Sequence, residues 1–194
     1  MSKLATTKYN VIDLIKNRWS PRSFSSEPIP DDVLLSLFEA AFWAASSRNE
    51  QPWRFIYGKK GHGQNYDHIY TSLVDWNKKW ANTAPVLAVG LIKTHFEHKE
   101  YLNAYAQYDL GQAVANLSIQ AIANQIYIHQ IGGFEKETIV KSFNISPAFE
   151  PVVAFAIGYL GKIGDIPDEF RELEQKQRSR INLEKLLFPG DFNP

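Results

Sequence analysis

Asp109-Leu110-Gly111-Gln112-Ala113-Val114-Ala115-Asn116-Leu117-Ser118-Ile119-Gln120-Ala121-Ile122-Ala123-Asn124-Gln125-Ile126 is the stretch on which the fold turns. Apolar Leu110, Ala113, Val114, Leu117, Ala121 and Ile122 recur three and four residues apart, the period of a helix with one buried side. Gly111, Ala115 and Ser118 between them are small, so a second face can also be buried and can admit a close helix neighbour. The segment predicts a central helix.

Working outward, Tyr127 to Ile131 and Val152 to Tyr159 read as strands, separated by Gly132-Gly133 and by a short helix near Glu135 to Phe143. On the other side, Pro85-Val86-Leu87-Ala88-Val89-Gly90-Leu91 is a continuous apolar run of strand length, as expected of a strand covered on both faces. Trp53 to Tyr57 is a further strand, followed by a loop with Gly58, Gly61 and Gly63 and a mixed helix from about Tyr66 to Lys79. Pro28 and Pro30 end an extended stretch, and Asp31 is placed to cap a helix whose apolar positions Val33, Leu34, Leu37, Phe38, Ala41 and Phe42 run to about Ala45. A short amphipathic segment spans Val11 to Lys16, His95 to Tyr108 reads as a surface helix or lid, and a polar helix covers Asp168 to Gln177 before an extended or mixed tail. There is no internal repeat or low-complexity linker, and the order of elements is α+β.

The chain has 194 residues, 44% of them hydrophobic and 13% aromatic, enough for one packed core and most simply one domain over 1–194. Twenty-one basic and 21 acidic side chains cancel, so no global field draws the protein to nucleic acid or to an anionic membrane, and any anion site must be local. The absence of cysteine excludes disulfides, thiolate nucleophiles, iron–sulfur clusters and thiolate zinc sites, so redox chemistry would need a bound cofactor. Met1 to Asn10 lacks the apolar core of a signal peptide and no run of about 18 apolar residues suggests a membrane span, which predicts a cytoplasmic chain.

Four constellations are candidates for chemistry, each with a plainer alternative. Arg18-Trp19-Ser20-Pro21-Arg22 sets two guanidinium groups and a hydroxyl within five residues, suited to phosphate, or is a solvated turn. Ala44 to Trp53 gathers Ser46, Ser47, Arg48, Asn49, Glu50 and Gln51, whose amides can meet the edge of a heterocycle, or is an ordinary helix end. Ile131-Gly132-Gly133-Phe134 frees the backbone to approach a flat ligand, or is a tight turn. Arg178-Ser179-Arg180 would put both cations on one face of an extended chain, or is a basic tail. Gly58 to Gly63 is neither a P-loop nor a dinucleotide fingerprint, and no Gly-x-Ser-x-Gly elbow occurs. His95 and His98 with Glu97 and Glu100 do not have the spacing of a zinc site, and no metal is expected there.

In this order the segments resemble the flavin-dependent nitroreductase family over roughly Val11 to Leu186. The resemblance rests on Arg18 to Phe24, on Glu39-Ala40-Ala41 leading into Ser46 to Trp53, on Ala84-Pro85-Val86, on Asp109 to Ala113 with Asn116-Leu117, and on Gly132-Gly133-Phe134. It implies a central, mainly antiparallel sheet flanked by helices, a homodimer formed through the long central helix, and FMN held between subunits. Arg18, Trp19, Ser20 and Arg22 would contact the FMN phosphate and the pyrimidine edge. Ser46, Asn49 and Gln51 would lie near the flavin across the dimer interface, and Asn77 would be a further ring-binding amide. Ile131, Gly132 and Gly133 would bring a backbone N–H to flavin N5, and Arg178 and Arg180 would grip the phosphate. No protein acid or base is needed, so no catalytic side chain is named.

The resemblance further implies an oxidoreductase that takes electrons from NAD(P)H and passes them to a nitroaromatic, a quinone or a similar acceptor in alternating half-reactions. The alternatives are a specialised flavin enzyme of the same fold, an FMN storage or sensing module, and a structural protein with solvated basic clusters. Three features depart from the family: Asn124-Gln125-Ile126 where a glycine turn is common, a segment from Lys93 to Tyr108 rich in Tyr and His, and a short chain without long insertions.

Overall fold

The apolar run after Pro85 forms an inner strand of a four-stranded sheet in the computed structural model, which describes residues 3–98 and 101–192. The strands are β1 (Trp53–Lys59), β2 (Val86–Lys93), β3 (Ile126–Ile131) and β4 (Phe149–Tyr159), in the spatial order β1-β2-β4-β3, and every pairing is antiparallel. The register sets Phe55 opposite Gly90, Val89 opposite Ala154, and Ile131 opposite Ala154. Because side chains alternate along a strand, β2 serves two cores at once. Val86, Ala88 and Ile92 join one cluster and Leu87, Val89 and Leu91 the other, which explains the unbroken hydrophobicity of the run.

Helices cover both faces. On the first lie α2 (Asp31–Phe42) and α5 (Ala106–Ala123), packed through Leu34, Leu37 and Phe38 of α2 and Leu110, Ala113 and Leu117 of α5. On the second lie α3 (Asn65–Ser72), α4 (Asp75–Ala81), α6 (Lys136–Ser142) and α7 (Asp168–Gln175), which contribute Ile69, Trp80, Ile139 and Phe170. Short α1 (Asp13–Asn17) precedes them. Gly90 lets α5 sit low on the sheet, since a Cβ there would meet the Phe155 ring at 3.3 Å and Leu110 at 3.4 Å.

The central helix buries the predicted face of Leu110, Ala113, Val114, Leu117, Ala121 and Ile122. It starts at Ala106 rather than Asp109, and it ends at Ala123, leaving Ile126 to begin β3. Gln125 adopts φ 59°, the left-handed conformation in which glycine ends a helix without strain, which is the physical reason a glycine is common there.

Four expectations are corrected. The helix expected over Tyr66 to Lys79 is two helices, broken at Leu73-Val74, where Leu73 pairs with Phe134 and the Val74 N–H donates to the Gly133 carbonyl. Asp31 is not a cap: Pro30 holds that position without a side-chain bond, and Asp31 is ion-paired with Lys59. Strand β1 runs on through Gly58, whose Cβ would collide with the Tyr66 nitrogen at 2.1 Å, so this glycine serves close packing rather than a turn. The described part of 95–105 holds an isolated His95–Leu102 bridge and no helix.

Candidate functional site

The Arg18-to-Phe24 segment leaves α1 and runs to the end of β4, where Phe24 bridges Leu160 and the Gly161 N–H donates to the Ser23 carbonyl. Apolar contacts fix it. Phe24 is fully buried, and Trp19 packs edge-on against Tyr127 of β3 with ring centroids 6.1 Å apart. Arg18 Nη1 donates to Ser20 Oγ at 3.4 Å.

The two ends of the chain meet here. Burial, then the charges of Arg178 and Arg180, hold the Arg18 guanidinium below the usual arginine value, and burial with Arg180 does the same to Arg178. Arg178 donates to the Lys3 carbonyl at 2.9 Å and the Lys16 carbonyl at 2.6 Å, which seats the tail against α1. Among the described residues none of Arg18, Arg22, Arg178 and Arg180 is ion-paired with a carboxylate. Like charges crowded without a counterion oppose one another until an anion arrives.

Next to this cluster, the Arg22 guanidinium lies 6.0 Å over the Trp80 ring, and its Nε is buried without a partner. Trp19 Nε1 is likewise buried and unpartnered. Such donors are costly unless something accepts from them. The paired glycines follow β3, which carries Tyr127 and His129. A Cβ on Gly133 would lie 2.7 Å from Asn77 Nδ2, the group that donates to the Gly133 carbonyl at 3.0 Å, whereas a Cβ on Gly132 would meet nothing within 4 Å. Asn77 is therefore bonded to the glycine turn through its NH2 group, and the space over Gly132 is open.

Ser46 to Gln51 lies apart from that cluster, between α2 and β1. Asp109, the buried carboxylate in the first turn of α5, accepts the Ser47 N–H at 3.0 Å, and burial raises its pKa above the usual carboxylate value. Ser46 Oγ accepts the Gln51 N–H at 3.0 Å, while Arg48, Asn49 and Gln51 all have positive φ. Asn49 and Gln51 are exposed. The loop after β2 docks on this segment: the Glu97 N–H donates to Glu50 at 3.0 Å, and the Arg48 guanidinium stands 5.5 Å over Phe96. Among the described residues no three His, Asp or Glu converge to hold a metal, and Glu100 lies outside them.

A cavity of about 750 Å³ lies elsewhere, an aromatic groove between α2 and β1 lined by Phe38, Phe42, Trp53, Phe55 and Tyr57. A smaller one of about 330 Å³ touches Lys3, Trp19, Ser23 and Glu174 behind the basic segment. Sequence reasoning missed Glu174 and His129, both next to Arg22. The signals were a carboxylate four residues after Phe170 on the buried side of α7 and an imidazole inside an apolar strand.

The class is that of a two-faced antiparallel sheet beside which Arg18, Arg178 and Arg180 gather. The nitroreductase family profile matches residues 15–66. A solved structure described as an oxidoreductase containing FMN superposes with a TM-score of 0.93 at 33% identity, covering 100% of this chain and 98% of that one. A 15.4 kDa protein of Mycolicibacterium smegmatis is 29% identical over 147 residues, 73% of this chain and 99% of its own length. YfhC of Bacillus subtilis, named as a candidate NAD(P)H nitroreductase, is 47% identical over 45 residues, 23% of each chain. The chain belongs to the nitroreductase family.

Proposed function

We propose that this chain is an FMN-dependent oxidoreductase that uses NAD(P)H to reduce a nitroaromatic, a quinone or a similar small acceptor in alternating half-reactions, working as a cytoplasmic homodimer. The observation that carries the reading is the cluster of Arg18, Arg178 and Arg180 without a carboxylate partner, beside the Ser20 hydroxyl. Planar guanidinium groups with a hydroxyl suit a phosphate. Similarity to an oxidoreductase containing FMN supports a flavin phosphate rather than a free anion.

FMN, when bound, supplies the two-electron redox chemistry. Arg18, Ser20, Arg178 and Arg180 hold its phosphate. Trp19, Arg22 and Asn77 line the ring, an assignment supported for Trp19 and Arg22 by their orphaned Nε1 and Nε and for Asn77 by its bond to the glycine turn. Ile131, Gly132 and Gly133 leave the backbone approachable by a flat group, supported by the open space at Gly132. Ser46, Asn49 and Gln51 of one subunit face the cofactor held by the other. No side chain is assigned as acid or base, and the protein's contribution is to keep the two reactants in register in turn.

The outward side of α5 supports the homodimer. Tyr108 is 70% exposed there, and nothing lies within 4 Å of a Cβ at Gly111. The tail leaves Ile181, Leu186, Leu187 and Phe192 exposed, and the aromatic groove is open to solvent, apolar surface that a second copy could cover.

The test is a visible spectrum after FMN addition and desalting, then anaerobic NADH or NADPH. Retained flavin bands that bleach with a nicotinamide are expected. Bands that persist in excess NAD(P)H would leave an FMN-binding module, and loss of all flavin on desalting would sink the cofactor assignment.

A further inference from the structure

The backbone of Pro21, Arg22 and Ser23 is gripped from two sides by groups to which no binding role has been given. From β3, His129 Nδ1 lies 2.8 Å from the Pro21 carbonyl oxygen, so the ring N–H donates to it. From α7, one oxygen of Glu174 accepts the Arg22 N–H at 2.8 Å and the Ser23 N–H at 3.4 Å. Glu174 is only 7% exposed; these two amides satisfy one of its oxygens, while the other is buried without a hydrogen-bond partner. Backbone amides donating to a charged oxygen are among the stronger bonds available.

The Arg22 side chain leaves this gripped backbone and crosses Trp80, whose ring also packs against the His129 ring with centroids 4.4 Å apart. Glu174 therefore fixes the start of the Arg22 side chain, and His129 fixes both that backbone and the aromatic surface the side chain lies on. The Arg22 Nε is buried without a partner. The geometry points to Glu174 and His129 as positioning residues that hold the Pro21–Ser23 backbone and aim the Arg22 guanidinium at the edge of the bound heterocycle. This rests on the FMN reading above. Glu174 acts through the bonds to the Arg22 and Ser23 amides, and its nearness to Lys3 makes it the local counter-charge as well.

The test is FMN titration of the apoprotein by quenching of flavin fluorescence, using Glu174→Ala, Glu174→Gln, His129→Phe, Arg22→Ala and the doubles of Arg22→Ala with the first and third. Glu174→Ala and Arg22→Ala should each weaken FMN about tenfold, as loss of a charge-assisted bond does. Glu174→Gln, which keeps an acceptor oxygen, should stay within about threefold. The Arg22→Ala/Glu174→Ala double should bind no worse than Arg22→Ala, because residues acting through one group do not add. Additive losses overturn the clamp, as does a Glu174→Gln as weak as Glu174→Ala. If Glu174→Ala fails to fold, the cycle of His129→Phe with Arg22→Ala makes the same decision. Wild-type affinity in Glu174→Ala sinks the clamp alone, whereas a wild-type protein that binds no FMN sinks the flavin reading and the clamp with it.

Discussion

Arg18 to Ser23 and Ser46 to Gln51 are both candidate binding segments, and they store free energy in opposite ways. The first has an unstrained backbone, buries Trp19, Pro21 and Ser23, and is bonded to β3 and α7. Its cost is electrostatic, because Arg18, Arg178 and Arg180 crowd together and, among the described residues, none is ion-paired with a carboxylate. The second is largely exposed, and its cost lies in the backbone, with φ of 55° at Arg48, 56° at Asn49 and 49° at Gln51. Left-handed backbone costs an L residue roughly 1–2 kcal/mol and persists where surroundings enforce it, often at functional sites. An anion relieves the first cost. The second cost stays in the backbone, where Asn49 and Gln51 are exposed. In the proposed function the first segment is a nearly complete phosphate site and the second is half of a site shared between subunits.

The largest effect that would break this contrast is one of pH. Burial, opposed by the bond to the Pro21 carbonyl and reinforced by Arg22, lowers the His129 pKa from 6.5 to about 4. Between those values the unfolded chain takes up a proton that the folded chain does not, so stability falls as pH drops through the window. The loss should be roughly 2–3 kcal/mol from pH 7 to 4. Urea unfolding at several pH values should show this slope in the wild type and a much shallower one in His129→Phe. Equal slopes would mean that the first segment is not anchored by a buried neutral imidazole. The anchor of the second segment runs the other way: the Asp109 pKa is raised by burial, so its charge weighs against folding at neutral pH and acidification eases that cost.

Next in size is the cation cluster. Arg18→Ala and Arg180→Ala should each weaken FMN by roughly ten- to a hundredfold, the worth of a charge-assisted phosphate contact. The apoprotein should lose no stability in Arg180→Ala, because that change thins a crowd of like charges and removes only an exposed bond to the neighbouring Ser179 carbonyl. Unchanged affinity in both variants would take the phosphate away from this cluster and leave the two segments alike.

Much of the fold was legible because its elements obey a local period. The buried face of α5 follows from spacing alone, and the doubly covered β2 from an unbroken apolar run. What was illegible is tertiary. The break between α3 and α4 carries no glycine or proline and exists because Leu73 and Val74 pair with the Gly133-Phe134 turn, a partner remote in sequence. In the same way each basic segment could be read from composition, but not that Arg18 and Arg178 meet. Glu174 looked like one more acid on a polar helix, and only the fold shows that its place on α7 faces two backbone amides.

The smallest predicted effect sharpens the second half of the contrast. Gln51 stands directly before Pro52, where the following ring already restricts the backbone, and its φ of 49° adds a strain that glycine would not feel. Its side chain donates only to the Asn49 carbonyl at 3.0 Å, an exposed bond of little worth. Gln51→Gly should therefore remove about 1–2 kcal/mol of strain and give back about 0.5–1 kcal/mol in chain entropy. The net gain, of order 0.5–1 kcal/mol, corresponds to a melting temperature about 1–3 °C higher. If the strained amide is shaped for a cofactor across the interface, the same variant should bind FMN more weakly while melting later. A variant that melts earlier would show that the backbone is unstrained, and one that melts later with unchanged FMN affinity would remove Gln51 from the site while leaving Arg18 to Ser23 intact.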